Sequence, residues 1–285
     1  MGWTSRSYQG LGPGGFHRIS YTEQGDAAAG RTVVCVHGLS RTGRDFDDLA
    51  PALAAAGFRV VAPDVVGRGD SDWLRPGGDY GIPQYCADLV ALLARLDIES
   101  VDWIGTSMGG LIGIALAAMP GSPIQRLVLN DVGPYVPKAS LERIGRYVGH
   151  DTRFASIEAA EAWYRETAAG FGRLSDAAWR HMATSGTRPD GQGGLRLHYD
   201  PAIGAPLHDV EALADVDLWP LWEAIACPVL LLRGADSDVL PAAVAEEMTR
   251  RGPGCELHEF TGVGHVPALI DPAQTNLVRD WLLDR

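Results

Sequence analysis

Only one lysine stands in this chain, Lys138, and every other side-chain cation apart from histidine is arginine. Schiff-base chemistry and P-loop phosphoryl transfer each need a lysine at a set place, and Lys138 lies in no such motif. Cysteine is scarce as well. Cys35, Cys86, Cys227 and Cys255 show neither CxxC pairing nor close spacing, so small buried thiols in a reducing compartment are expected rather than disulfides. No HExxH and no paired Cys/His set occurs, so no metal and no cofactor is expected. No apolar run reaches about 18 residues, which argues against a membrane-spanning helix. The opening MGWTSRSYQG has no apolar core of a secretory signal, and a cytoplasmic protein is expected. Positive charge is also in deficit: 24 basic against 36 acidic residues leave a net charge of −12. An acidic surface repels phosphate backbones, so nucleic acid is not an expected partner.

What is present fits a globular enzyme. The chain has 285 residues, 46% of them hydrophobic and 21% charged, enough to bury a large core unaided. Residues 32–36, TVVCV, form a continuous β-branched run of the kind buried on both faces of a parallel sheet. A helix over 45–56 follows, with Phe46, Leu49 and Leu53 at helical spacing and Gly57 just past its end. Phe58–Ala62 is a strand closed by Pro63-Asp64. Pro83 opens a helix through Leu89, Leu92, Leu93 and Leu96. Val101–Gly105 is a strand, Met108–Met119 a helix and Ile124–Leu129 a strand. This alternation predicts a parallel α/β sheet with crossover helices.

From about 135 to 220 the strand signals vanish. Helices are expected over 157–168 and 175–184, and 186–194, GTRPDGQGG, reads as a loop. Tyr147, Phe154, Trp163, Tyr164, Phe171, Trp179, Trp219 and Trp222 gather in this stretch. It reads as a helical insertion (135–220) into a core made of 1–134 and 221–285. Strand and helix then resume at Pro228–Arg233, Ala242–Arg250, Glu256–Phe260 and Pro272–Leu283. Gly10 to Gly15 matches G-x-G-x-x-G, but it follows no strand and contains a proline, so it is not a dinucleotide loop. Arg68-Gly69-Asp70 reads as a tight loop.

The chemistry gathers around Gly105-Thr106-Ser107-Met108-Gly109, a G-x-S-x-G between a strand and a helix. A serine on so sharp a turn needs very small neighbours two places away on either side. The helix start behind it offers backbone N–H groups to a developing negative charge. The serine needs a base. His265, in the glycine-rich loop GVGHVP after the last strand, can reach across the carboxyl edge of the sheet, where open α/β sheets bind ligands. The base in turn needs an acid to orient it. Asp238, in RGADSDVL, is the first candidate, Asp131, in NDVGP, the second, and Asp236 the third. The backbone N–H groups of Leu39 and Met108 are the candidate oxyanion donors, with Gly38 giving access. His37 is expected to hydrogen-bond within its own loop. The other histidines sit in no motif and read as surface, packing or capping residues.

These segments, HGLSRTGRDF (37–46), PDVVGRGDSD (63–72), GTSMGG (105–110), LVLNDVGP (127–134), RGADSDVL (233–240) and GVGHVP (262–267), resemble the α/β-hydrolase superfamily in content and order. The resemblance implies an α/β-hydrolase fold, an eight-stranded, mostly parallel sheet with a helical cap inserted after the sixth strand. In such proteins the acid usually follows the seventh strand and in some members the sixth, so Asp238 and Asp131 both stay open. Serine rather than aspartate at 107 argues against the related dehalogenases and epoxide hydrolases. The expected activity is that of a serine carboxylesterase on a small, hydrophobic ester or related carbonyl compound. A C–C (β-ketone) hydrolase, a lactonase or an acyltransferase could use the same triad, and a non-catalytic ligand receptor is the rival from another class.

Overall fold

The computed structural model describes residues 2–75 and 79–284. Its centre is an eight-stranded sheet of β1 (Thr4–Gly12), β2 (Gly15–Gln24), β3 (Thr32–Val36), β4 (Arg59–Pro63), β5 (Val101–Thr106), β6 (Ile124–Asn130), β7 (Val229–Gly234) and β8 (Glu256–Phe260), in the spatial order β1-β2-β4-β3-β5-β6-β7-β8. Strand β2 runs antiparallel to both its neighbours, and β3 to β8 are mutually parallel. The expected eight-stranded, mostly parallel α/β sheet is therefore present.

The central strands are apolar because helices cover both faces of the sheet. Every residue of β3, β5 and β7 is buried. The covering helices are α1 (Leu49–Ala55), α2 (Ile82–Leu96) and α3 (Met108–Ala117) in the first half. Trp103 of β5 is fully buried and donates its indole N–H to the Gly109 carbonyl of α3 (3.0 Å). A Cβ at Gly113 would fall 2.7 Å from that indole nitrogen. Glycine in a helix costs about 1 kcal/mol against alanine, and here it lets α3 lie against the tryptophan.

The N-terminal residues form a hairpin that carries no clear strand signal in its first half. β1 pairs with β2 from Thr4↔Glu23 to Gly12↔Gly15, so the glycine-rich 10–15 stretch is a hairpin tip. As an edge strand with mostly exposed residues, β1 lacks the apolar run that marks a buried strand. The expected helix over 45–56 is shorter: a 3₁₀ turn over Gly43–Phe46 precedes α1.

The chain leaves the sheet at Asn130 and re-enters it at Val229. Between them lie α4 (Lys138–Gly145), α5 (Ile157–Thr167), α6 (Asp176–Ser185), α7 (Ala205–His208) and α8 (Trp219–Ala224). The Ser156 and Ser175 hydroxyls cap α5 and α6, accepting from the N–H groups of Ala159 (3.3 Å) and Ala178 (3.1 Å). The segment is not wholly helical. Arg153–Phe154, Leu195–Leu197 and Thr187–Pro189 form a small antiparallel sheet, and the 186–194 stretch read as a loop opens that hairpin. Strands this short carry no periodic signal. At the two ends of the segment Tyr135–Val136 pairs with Val216–Asp217, which brings entry and exit together. The segment has its own apolar cluster around Phe154, Tyr164, Trp179 and Met182, whereas Trp222 belongs to the main core beside α3. The last two helices, α9 (Ala242–Met248) and α10 (Pro272–Leu283), close the fold.

Candidate active site

Three loops at the carboxyl edge of the sheet build the site. Between β5 and α3, Ser107 adopts φ 50°, ψ −114°, a backbone region that costs an L-residue of order 1–3 kcal/mol. The turn is tight enough that a Cβ at Gly105 would sit 2.3 Å from the Gly109 carbonyl oxygen, and one at Gly109 would sit 2.0 Å from that of Val36. The motif's two glycines are thus demanded by backbone contacts within the turn and with β3. The Ser107 N–H donates to the Asn130 carbonyl at 3.0 Å, tying the turn to the end of β6.

His265 Nε2 lies 3.0 Å from Ser107 Oγ, and its Nδ1 lies 2.6 Å from Asp131 Oδ2. A carboxylate only accepts, so Nδ1 carries the proton and Nε2 presents its lone pair to the serine hydroxyl. Asp131 is fully buried and directly follows β6, at φ 58°. Its Oδ1 accepts from the Gly234 N–H (2.8 Å) and its Oδ2 from the Ser237 hydroxyl (2.6 Å). Those two donors satisfy a charge that burial alone would make costly.

The order of preference among the three aspartates is therefore corrected. Asp238 does not reach His265; its side chain is 47% exposed and bonds the Arg143 guanidinium of α4 at 2.9 Å. Asp236 is exposed, and its backbone N–H donates to Val263. The residue of RGADSDVL that touches the acid is Ser237, which sequence reasoning passed over between two aspartates.

The loop after β3 supplies the remaining wall. His37 is fully buried. Its Nε2 accepts from the Val65 N–H (2.9 Å), so Nδ1 holds the proton and donates to the Gly38 carbonyl (2.7 Å). Burial pushes its pKa down to about 4, which keeps the ring neutral. The Gly38 carbonyl also accepts from the Arg41 N–H at 3.2 Å. In a trans peptide the N–H points opposite to the carbonyl, so holding Gly38 C=O inward turns the Leu39 N–H outward. Arg68, also fully buried, donates from Nε to the Leu39 carbonyl (2.8 Å) and from Nη1 to Val66 O (2.7 Å) and Tyr85 Oη (3.0 Å). What read as a tight loop at 68–70 thus carries a buried strut for the 38–40 loop. Among the described residues neither the Leu39 nor the Met108 N–H has a protein acceptor.

A cavity opens onto these groups. Gly38, Leu39, Ser107 and His265 form its floor, and Ile144, Tyr147, Val148, Trp163, Tyr164 and Phe171 of the 135–220 segment its roof. No group of three or more His, Cys, Asp or Glu suited to hold a metal occurs among the described residues. The four cysteines are unpaired. No helix of the described residues is long and apolar enough to cross a membrane.

A buried aspartate, an imidazole of fixed tautomer and a serine on a strained strand-to-helix turn form the arrangement of a serine hydrolase. Residues 31–272 match the alpha/beta hydrolase fold family, and the chain belongs to it. It is 46% identical over 273 residues, 93% of each chain, to a protein of Cupriavidus necator named 3-hydroxybutyrate-oligomer hydrolase. A crystal structure from Rickettsia typhi superposes with a TM-score of 0.91 at 29% identity, covering 100% of both chains. An alpha/beta hydrolase from Novosphingobium aromaticivorans does so at 0.86 and 36% identity, over 99% of this chain and 98% of that one.

Proposed function

We propose that the chain is a serine esterase that cleaves short esters of hydroxy acids through an acyl-enzyme. The observation that carries this reading is the continuous hydrogen-bonded run Ser107–His265–Asp131 opening into a mostly apolar cavity. The ester class is supported by the relative's name, which refers to oligomers joined by ester bonds.

In this scheme Ser107 Oγ attacks the ester carbonyl carbon as His265 Nε2 takes its proton. Asp131 holds the imidazole by Nδ1 and stabilises the imidazolium that forms. The N–H groups of Leu39 and Met108 receive the oxyanion, each worth about 3 kcal/mol in the transition state. His265 returns the proton to the departing alcohol oxygen. Water then attacks the acyl carbon and gives its proton to His265, which passes it to Ser107 Oγ as the ester bond to the serine breaks and the acid leaves. Only groups of the chain are used. Residues 135–220 act as the cap that selects the acyl and alcohol parts, since they roof the cavity. The unpaired cysteines fit the reducing cytoplasm.

The test is labelling with a fluorophosphonate, read by peptide mapping, alongside hydrolysis of a 3-hydroxybutyrate dimer. A single adduct on Ser107 and loss of both labelling and turnover in Ser107→Ala are expected. Hydrolysis by Ser107→Ala at a rate near that of the unaltered protein would end the proposal. Faster turnover of a β-diketone or a lactone than of any open-chain ester would move the assignment within the same triad.

A further inference from the structure

One ion pair lining the cavity, Arg41 with Asp45, is used by none of the steps above. Arg41 follows Leu39 by two places and lines the same cavity as Ser107 and His265. Its side chain is only 9% exposed. Nε and Nη2 bond the Asp45 carboxylate at 2.5–3.1 Å, and the guanidinium lies over the Tyr164 ring, 5.1 Å from its centroid. Nη1 makes no close hydrogen bond among the described residues, and the guanidinium also interacts with the Tyr164 hydroxyl. A guanidinium has five N–H donors in a rigid fork. Asp45 occupies one edge and leaves the Nη1 end unbonded. A buried donor left so is costly unless something comes to it.

The position suits a ligand. A Cβ built on Gly38 would lie 3.7 Å from Ser107 Cβ and 3.9 Å from Arg41 Cγ, so the serine and the arginine stem flank one point of the loop. Arg41 is the only permanent cation among the described residues lining the cavity, whose remaining walls are largely apolar, from Ile144, Val148, Trp163, Phe171 and Val266. In a dimer of a 3-hydroxy acid the terminal carboxylate sits four bonds from the ester carbonyl carbon, about 5 Å away, on the alcohol that leaves.

We propose that Arg41 anchors the terminal carboxylate of the substrate through Nη1, so that this esterase acts on short hydroxy-acid esters ending in a free carboxylate. The assignment rests on the esterase reading and adds a specificity residue to it. Asp45 has a defined part: it locks the fork and balances its charge, and the incoming carboxylate bonds Nη1, the nitrogen that Asp45 does not use.

The comparison substrate is the same dimer with its carboxylate converted to a primary amide. Unaltered protein is expected to cleave the acid with a kcat/KM on the order of 10- to 100-fold above that of the amide, mostly through KM. In Arg41→Gln/Asp45→Asn, which removes both charges together, that ratio should fall to within about 3-fold of unity. Equal kcat/KM for the two dimers in the unaltered protein, or an unchanged ratio in the double variant, would overturn the assignment while leaving ester hydrolysis intact. Where the variant does not fold, inhibition of p-nitrophenyl ester hydrolysis in the unaltered protein decides: 3-hydroxybutyrate should inhibit at least tenfold more tightly than 3-hydroxybutyramide, and equal inhibition overturns it. Cleavage of no ester at all would sink the esterase reading by itself. The thermal shift given by 3-hydroxybutyrate over its amide would then still decide whether Arg41 holds a carboxylate.

Discussion

The loops after β6 and β7 are neighbours at the same edge of the sheet, and each carries an aspartate close behind its strand. Asp131 is fully buried, bonded to His265, Gly234 and Ser237, while Asp238 is half-exposed and bonded to Arg143. The separation follows from the backbone. Asp131 comes straight off β6 with its N–H fixed on the Leu232 carbonyl (2.8 Å) and φ of 58°, which turns its side chain towards β7. Asp238 lies four residues beyond β7, and its carbonyl accepts from the Ser140 hydroxyl (2.6 Å). The β7 loop has become a donor platform, supplying an N–H and a hydroxyl to the acid from the β6 loop. The same two loops thus divide into one that bears the charge and one that satisfies it.

Asp131→Asn should break that division most severely. The amide cannot hold the Nδ1–H tautomer, and kcat on a 3-hydroxybutyrate dimer should fall by about 10⁴, as such a change does in serine proteases. A loss under about tenfold would return the acid's role to another residue. Next in size is Ser237→Ala. It removes one bond to the carboxylate and leaves the Gly234 N–H in place, so kcat should drop by roughly tenfold, within what a hydrogen bond to a charged group is worth.

A third loop sharpens the contrast, since His37 is buried and held neutral where His265 meets the cavity. Its folded pKa, about 4, is below the unfolded value of 6.5. A depressed histidine adds stability that is present above pH 6.5 and is lost as pH falls towards 4. His37→Gln should therefore cost about 1–3 kcal/mol at pH 7 and less at pH 5, as urea unfolding at the two values would measure. A cost that grows on acidification would mean that His37 is charged in the folded protein.

How much of this could be read in advance divides along the same line. Ser107 and His265 sit in short glycine-rich motifs whose spacing is dictated by local backbone crowding, and the geometry brings the two together. The strand–helix alternation of the core is legible because buried parallel strands must be apolar throughout. The choice between Asp131 and Asp238 rests on a positive φ at a non-glycine residue, and nothing local announces that. Ser237 and Arg68 escape for a related reason: their partners are far off in the chain or are backbone atoms, as when Arg68 reaches the Leu39 carbonyl. Strand β1 escapes because its residues are mostly exposed, and the short strands of 153–197 because two or three residues hold no periodicity.

The smallest expected effect is the other half of the comparison. Asp238→Asn removes a carboxylate from the loop beside the site, yet that carboxylate faces Arg143 across a partly solvated pair. Exposed pairs contribute about 0–1 kcal/mol, so urea unfolding should shift by less than about 1 kcal/mol. Turnover should stay within about twofold of the unaltered rate, because no bond from Asp238 reaches the imidazole or Asp131. A fall in kcat of more than tenfold with stability intact would mean that Asp238 exchanges Arg143 for His265 when the 138–145 helix moves. The double variant Arg143→Gln/Asp238→Asn would expose that exchange. If the pair only fastens the 135–220 segment to the β7 loop, the double variant repeats the single one. If Arg143 instead withholds an acid, Arg143→Gln alone should restore part of the activity lost in Asp131→Asn.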